Sequence, residues 1–147
     1  MKHMPLPFLM LGLMILTGCH TDSLTAGLQD GKLRPCPDKP NCVCTQDPSE
    51  RHRVEPIHYT VSQDEALEKL LRIVRRMDRS TLVAAEPDYI HAEFRSAFFE
   101  FVDDVEFLLD DGAKLIHFRS AARTGYYDFN VNRKRMEEIR KLFMGSG

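Results

Sequence analysis

The first nineteen residues constrain this chain more than any other feature. Lys2 is followed by a run from Met4 to Leu16 that is apolar apart from Pro5, Pro7 and Gly12. A membrane span wants about 20 apolar residues, whereas a secretory h-region needs about 7–15 behind a positive start. Residues 1–18 therefore read as a signal peptide. Leu16-Thr17-Gly18-Cys19 matches the bacterial lipobox, with small residues before the cut and a thiol at the first mature position to accept diacylglycerol. Cys19 is thus the expected lipidation site, carrying two or three acyl chains such as palmitate. Each buried CH₂ adds about 0.8 kcal/mol, so several chains make a lasting anchor where one is marginal. The expected localisation is the bacterial cell envelope. His20 is not the Asp of an inner-membrane retention signal, which favours the outer membrane, facing the periplasm.

Cleavage before Cys19 leaves residues 19–147, in which 19 Lys and Arg stand against 22 Asp and Glu, a charge of −3. Such a balance lacks the bulk attraction that a non-specific nucleic-acid binder needs, so no nucleic-acid partner is expected. At 43% apolar and 29% charged residues the composition is that of one globular domain, which excludes collagen-like, mucin-like and strongly disordered classes.

Three cysteines remain, Cys36, Cys42 and Cys44, and in an oxidising envelope they cannot all pair within the chain. Pro37-Asp38-Lys39-Pro40-Asn41 can bend the backbone so that the Cα atoms of Cys36 and Cys42 approach to about 5.5 Å. Cys36–Cys42 is the favoured pair and Cys36–Cys44 the rival, while one residue between Cys42 and Cys44 would strain a bridge there. His52 and His58 lie downstream, but no Cys-x₂-Cys pair exists, so neither a metal nor another cofactor is expected. Five of the eight prolines fall between positions 35 and 56. Residues 19–52 accordingly read as a lipidated tether and cysteine-containing loop, and 53–147 as a single α+β domain.

Within that domain the expected order is β-α-β-β-β-β-α. Ile57, Tyr59 and Val61 alternate with His58, Thr60 and Ser62, as in a half-buried strand. Ser62-Gln63-Asp64-Glu65 is a capping box, and Ala66, Leu67, Leu70, Leu71, Val74 and Met77 form an apolar stripe at helical spacing. Arg72, Arg75, Arg76 and Arg79 collect near its end, where a solvated face that complements the helix dipole is favoured over an anion site. Glu86-Pro87-Asp88 and Asp110-Asp111-Gly112 are turns between strands. Phe99, Phe101, Val105, Phe107 and Leu109 alternate along the longest strand, and Ile116 and Phe118 continue its apolar face. The other face, with Glu93, Arg95, Glu100, Asp104, Glu106, His117 and Arg119, is expected to be an exposed ladder of ion pairs. Met136, Ile139, Leu142 and Phe143 mark a last helix, for which Asn130 or Asn132 would be the N-cap. A mainly antiparallel sheet of about five strands with two helices on one face follows.

Two places stand out for chemistry. Asp103 is in phase with Phe101 and Val105, and a carboxylate on a buried face must be paired, hydrogen-bonded or protonated. The stretch 119–133 is dense in donors, and loops of this kind often bind something. Arg119, Arg123 and Arg133 offer forked guanidiniums suited to a carboxylate or phosphate. Together with Arg95, Asp103, Asp128 and Asn132 they are the expected ligand-binding residues.

Gly31-Lys32-Leu33-Arg34-Pro35-Cys36-Pro37 with Pro40-Asn41-Cys42-Val43, then Ala92-Glu93-Phe94-Arg95-Ser96, Phe101-Val102-Asp103-Asp104-Val105-Glu106-Phe107 and Asn132-Arg133-Lys134-Arg135, resemble the domain of unknown function 1499 family over about residues 28–142. The resemblance implies an envelope-associated α+β domain and brings no reaction, cofactor or substrate with it. Cys44 stands where the family commonly has Ser, and Ala122-Arg123 with Tyr126-Tyr127 replaces a Ser-Arg step followed by a small residue.

Two function classes follow. The first is a non-enzymatic module that binds a small anionic ligand or an envelope protein through the polar sheet face and the 119–133 loop, attached to the membrane by its lipid. The second is a small hydrolase or transferase using Asp103 with Arg95 or Arg119. No catalytic residue is assigned, because Gly-x-Ser-x-Gly, His-Glu-x-x-His and a phosphate loop are all missing from the sequence.

Overall fold

The computed structural model describes residues 26–145; the leader and Cys19 lie outside the described residues. In chain order the elements are β1 (Leu28–Gln29), β2 (Lys32–Leu33), β3 (Cys42–Cys44), β4 (Ile57–His58), α1 (Gln63–Arg76), β5 (Ser80–Ala85), β6 (Tyr89–Arg95), β7 (Val102–Asp110), β8 (Leu115–Ala122) and α2 (Val131–Gly145). The class is α+β, and from β4 onward the order is the expected β-α-β-β-β-β-α.

β5 to β8 form an antiparallel meander, and β3 and β4 pair in succession along the free edge of β8. A separate hairpin of β1 and β2 turns at Asp30 and Gly31, both at positive φ. The capping box forms as the sequence predicts: the Ser62 hydroxyl accepts from the Glu65 N–H, and the Ser62 N–H donates to the Glu65 carboxylate. Behind it Ala66, Leu70, Leu71 and Val74 are buried. They pack with Met136, Ile139 and Phe143 of α2 onto Ile90, Val105, Phe107, Ile116 and Phe118 of the sheet. Each such aliphatic or aromatic side chain contributes about 1.5–3 kcal/mol through burial.

Three features differ from the sequence reading. Cys42–Cys44, read as loop, is a strand of the main sheet and pairs with Arg119–Ala121. β7 starts at Val102, so Phe99 and Phe101 lie outside the strand and are exposed. Glu100 has φ 52°, the Phe101 N–H donates to the Ser96 hydroxyl and the Ser96 N–H donates to the Phe101 carbonyl. These bonds close a turn and end the alternation. Third, the face expected to be an exposed ladder is covered: Asp104, Glu106 and Arg119 are all buried. The β1–β2 hairpin and the cysteine-containing segment lie over it, and Leu33, Cys36, Cys44, Tyr89 and Leu108 form a second apolar cluster there. The sheet therefore has helices on one face and a small cover on the other.

The disulfide joins Cys36 and Cys42, whose Cα atoms are 5.6 Å apart. Cys44 is a buried free thiol, and burial pushes its pKa up to about 11.

Candidate functional site

The ends of β6 and β8, the starts of β5 and β7, the C-terminus of α1 and the N-terminus of α2 converge at one end of the sheet. Antiparallel pairing dictates this: Ser80 faces Phe94, Phe94 faces Asp103, and Asp103 faces Ala122. Charged side chains gather on both faces of this end, in two separate networks.

On the helix face, Asp103 accepts from Arg135 at 2.7 Å. Arg135 also donates to the Asn132 side-chain carbonyl at 2.8 Å and lies over the Phe94 ring, 4.7 Å from its centroid. Asn132 is fully buried, although it sits in the first turn of α2. Its carbonyl accepts from the Ser120 hydroxyl, and its amide donates to the Asn41 backbone carbonyl and the Asp128 carboxylate. Asp128 in turn accepts the backbone N–H groups of Asn130 and Asn132. The acceptor at the start of α2 is thus Asp128, not Asn130 or Asn132 as the sequence reading has it. Asn132 instead ties the helix to β8 and to the chain ahead of β3. Burial raises the Asp103 carboxyl above the usual carboxylate range, and Arg135 opposes that shift.

On the covered face, Arg123 donates to both oxygens of Asp104 and to Glu93. His91 bonds Asp104 at 2.7 Å, and Arg95 pairs with Glu93. The carboxylates around Arg123 drive its guanidinium pKa further up. Deeper, Glu106 accepts from Arg119, from the Tyr89 hydroxyl and from the Gly27 backbone N–H. Burial and the Glu106 charge together push the Tyr89 phenol upward.

The expected binding residues are therefore divided. Asp103, Asp128 and Asn132 belong to the first network; Arg95, Arg119 and Arg123 belong to the second. Asp103 is bound by Arg135 rather than by Arg95 or Arg119, the partners expected from sequence. Arg133 stands apart, lining a small cavity of about 90 Å³ with His52, Tyr127 and Asp128.

A larger groove of about 770 Å³ runs between α1 and α2. Its walls carry seven cationic residues, Lys69, Arg72, Arg76, Arg79, Arg95, Lys134 and Arg135, against the carboxylates Asp78 and Glu138. Phe94, Ile73, Met77, Val131 and Leu142 supply its apolar surface. Helical spacing sets Arg72, Arg76 and Lys69 on one side of α1. Arg79, at φ 57°, turns the chain from α1 into β5 and donates to the Arg95 carbonyl. Among the described residues Arg72, Arg76 and Lys134 form no ion pair.

Residues 32–143 match the family described as "Protein of unknown function (DUF1499)". The chain belongs to the DUF1499 family. No curated protein and no solved structure matches it. The matched span starts at β2 and ends in α2, so the DUF1499 domain includes the cysteine-containing segment as well as the meander. Arg135 is not among the binding residues expected from sequence, and for the α1 arginines an anion site is the less favoured reading there. Arg135 lies within the Asn132-Arg133-Lys134-Arg135 motif, but only the register of α2 on the sheet brings it to Asp103. Arg72 and Arg76 read as a solvated helix face because the facing lysine comes from a helix some sixty residues later.

Proposed function

We propose that this chain is an envelope lipoprotein, tethered at Cys19, favouring the outer membrane and facing the periplasm, whose DUF1499 domain is a non-enzymatic module that binds a small polyanion in the α1–α2 groove. The observation that carries the reading is the groove itself: seven cationic residues against two carboxylates in a chain whose net charge is negative. Unpaired Arg72, Arg76 and Lys134 present N–H donors from two helices to one space, an arrangement suited to phosphate or carboxylate oxygens. Phe94 and Ile73 supply an apolar surface for the body of the ligand. The buried carboxylates nearby are bound by guanidiniums, Asp103 by Arg135 and Asp104 by Arg123, which favours binding over acid–base catalysis.

Titration of the protein with inorganic pyrophosphate and with citrate, followed by amide chemical shifts, tests the groove. The expected result is saturable shifts at Arg72, Arg76 and Lys134, with Arg76→Ala and Lys134→Ala each weakening binding about tenfold, as loss of a charge-assisted contact implies. Saturable shifts confined to the 123–133 loop, or no saturable shift with either anion, overturn the groove as the site. The anchor is tested separately by labelling cells with radioactive palmitate: Cys19→Ser should abolish both labelling and membrane retention.

A further inference from the structure

The two ends of the sheet differ in charge and in apolar exposure. At the end where α1 finishes, the β6–β7 turn exposes Phe98, Phe99 and Phe101 at 91%, 75% and 55%. The β8–α2 loop exposes Tyr126, Tyr127 and Phe129 at 65%, 50% and 75%. Val102 accepts the Arg123 N–H, which holds these two loops side by side. Phe99 stacks on Phe101 at 5.5 Å and Tyr127 meets Phe129 edge-on at 5.1 Å. Two neighbouring loops with six exposed rings between them carry more apolar surface than the scattered residues of an ordinary surface. Exposed Arg75 and Arg79 at the end of α1, Arg95 at the end of β6, and Arg133 and Lys134 in the first turn of α2 lie at this same end of the sheet, where Asp78 and Glu100 are the exposed acids of the turns.

The opposite end is acidic. It carries Asp64 and Glu65 at the start of α1, Glu86 and Asp88 in the β5–β6 turn, and Asp110 and Asp111 in the β7–β8 turn, all exposed. Gln63 donates to the Pro87 carbonyl, and Tyr59 and Lys114 both donate to Asp111, so these three segments form one surface. In these three segments six exposed carboxylates stand against Lys114, which pairs with Asp111, so this end is negative while the other end bears the arginines and the aromatic rings.

We propose that the aromatic and basic end docks on an anionic bilayer surface, with the rings at the level of the headgroups and the acidic end directed away. Aromatic rings partition to that level, and basic residues around them are drawn to anionic lipid. The proposal is independent of the groove's ligand but takes its proximity to the bilayer from the anchor at Cys19. Seven residue steps separate Cys19 from Ala26, a reach of about 25 Å when extended. The chain enters the described fold at Gly27, bonded to Glu106 in the middle of β7, four residues from either end of that strand. Either end of the sheet, at about 13 Å, lies within reach. Charge therefore decides the orientation, because an anionic surface repels the acidic end.

The chain contains no Trp, so one introduced Trp reports its own environment. The full chain carrying Phe99→Trp, or Val61→Trp at the acidic end, is reconstituted into phosphatidylcholine vesicles with brominated acyl chains, with or without phosphatidylglycerol. With phosphatidylglycerol, Phe99→Trp should shift its emission to the blue and be quenched several-fold more than Val61→Trp. Arg75→Glu combined with Arg133→Glu should remove that difference; both positions are exposed, and an unchanged thermal midpoint verifies the fold. Equal quenching at the two positions overturns the proposal, as does quenching that ignores phosphatidylglycerol or the charge reversal. A blue shift already present before vesicles are added also overturns it, since it means a protein partner or a second copy covers the rings. Absence of palmitate labelling in the parent chain, with the quenching pattern intact, would reject the anchor and leave the docking standing.

Discussion

Replacing Arg135 by Met should destabilise the domain more at neutral pH than in mild acid. Arg135 and Asp103 face each other at 2.7 Å with side chains only 11% and 12% exposed. Arg135 also supports the Asn132 carbonyl and covers Phe94. Met keeps much of the apolar contact with Phe94 and removes the charge. Breaking a buried pair by deleting one partner costs about 3–5 kcal/mol, and because Asp103 lies at the rim of the core the low end applies, about 3 kcal/mol. For a domain of this size that lowers the thermal midpoint by about 10 °C. The sign of the pH dependence follows from what Arg135 now opposes. Burial already raises the Asp103 carboxyl, and Arg135 holds it down; without Arg135 the folded-state pKa rises further. An acid whose folded pKa lies above its unfolded value binds its proton more tightly when folded. Its contribution is therefore retained in acid and lost as pH rises from the unfolded value, about 3.9, through the folded one. Urea denaturation at about pH 5 and about pH 7.5 should accordingly show a smaller loss at the lower pH. Asp103→Asn in the Arg135→Met background should restore about 1–3 kcal/mol, the coupling expected for contacting residues. A loss below about 0.5 kcal/mol, or the same loss at both pH values, would refute the reading of this pair as a buried charge balance.

Three further outcomes are expected. Cys36→Ala with Cys42→Ala opens a short loop, for which chain entropy implies a loss of about 2 kcal/mol, measurable by urea denaturation against the oxidised parent. Cys44 should resist alkylation until denaturant is added. Its thiol, raised from 9.0 to about 11, should contribute stability in full below pH 9 that falls away as pH climbs through 11, readable from thermal midpoints of Cys44→Ser and the parent across that range. Asp128→Ala removes the acceptor for two N–H groups at the start of α2 and a bond to the Asn132 amide; it should cost about 1–2 kcal/mol, the range for a lost cap, and weaken amide-exchange protection in the first turn of that helix.

Much of the fold is legible because its signals are local. The capping box at Ser62, the stripe from Ala66 to Val74 and the turns at Pro87 and Gly112 act within a few residues, and each appears where the sequence puts it. Alternation failed at Phe99 and Phe101 because a pattern of period two does not say where a strand begins; the Ser96–Phe101 bonds decide that. It failed again for Glu106 and Arg119, since polar residues on one face mark solvent only if no other segment covers them, and here the β1–β2 hairpin and the cysteine-containing segment do. The expected site residues are individually well placed in the sequence, yet pairing by strand register sends Asp103 to one face and Arg119 to the other. The groove was hidden for a similar reason: its two walls are helices separated in sequence by the whole β5–β8 meander.

The sequence alone determined what depends on near neighbours: the two helices and the cap of α1, the turns at Pro87 and Gly112, the order of elements from β4 onward and the α+β class. The Cys36–Cys42 bridge lies between the two: five residues bent by proline made it the favoured pair over Cys36–Cys44, and the fold brings its Cα atoms to 5.6 Å. Tertiary structure decided which charges meet. Asp103 with Arg135, Glu106 with Arg119 and Tyr89, and the cations of α1 with those of α2 are each brought together by sheet register and helix packing. The physical reason is range: hydrogen-bonded turns and caps are set by torsions a few bonds apart, whereas the environment of a charge depends on every segment the completed core lays against it.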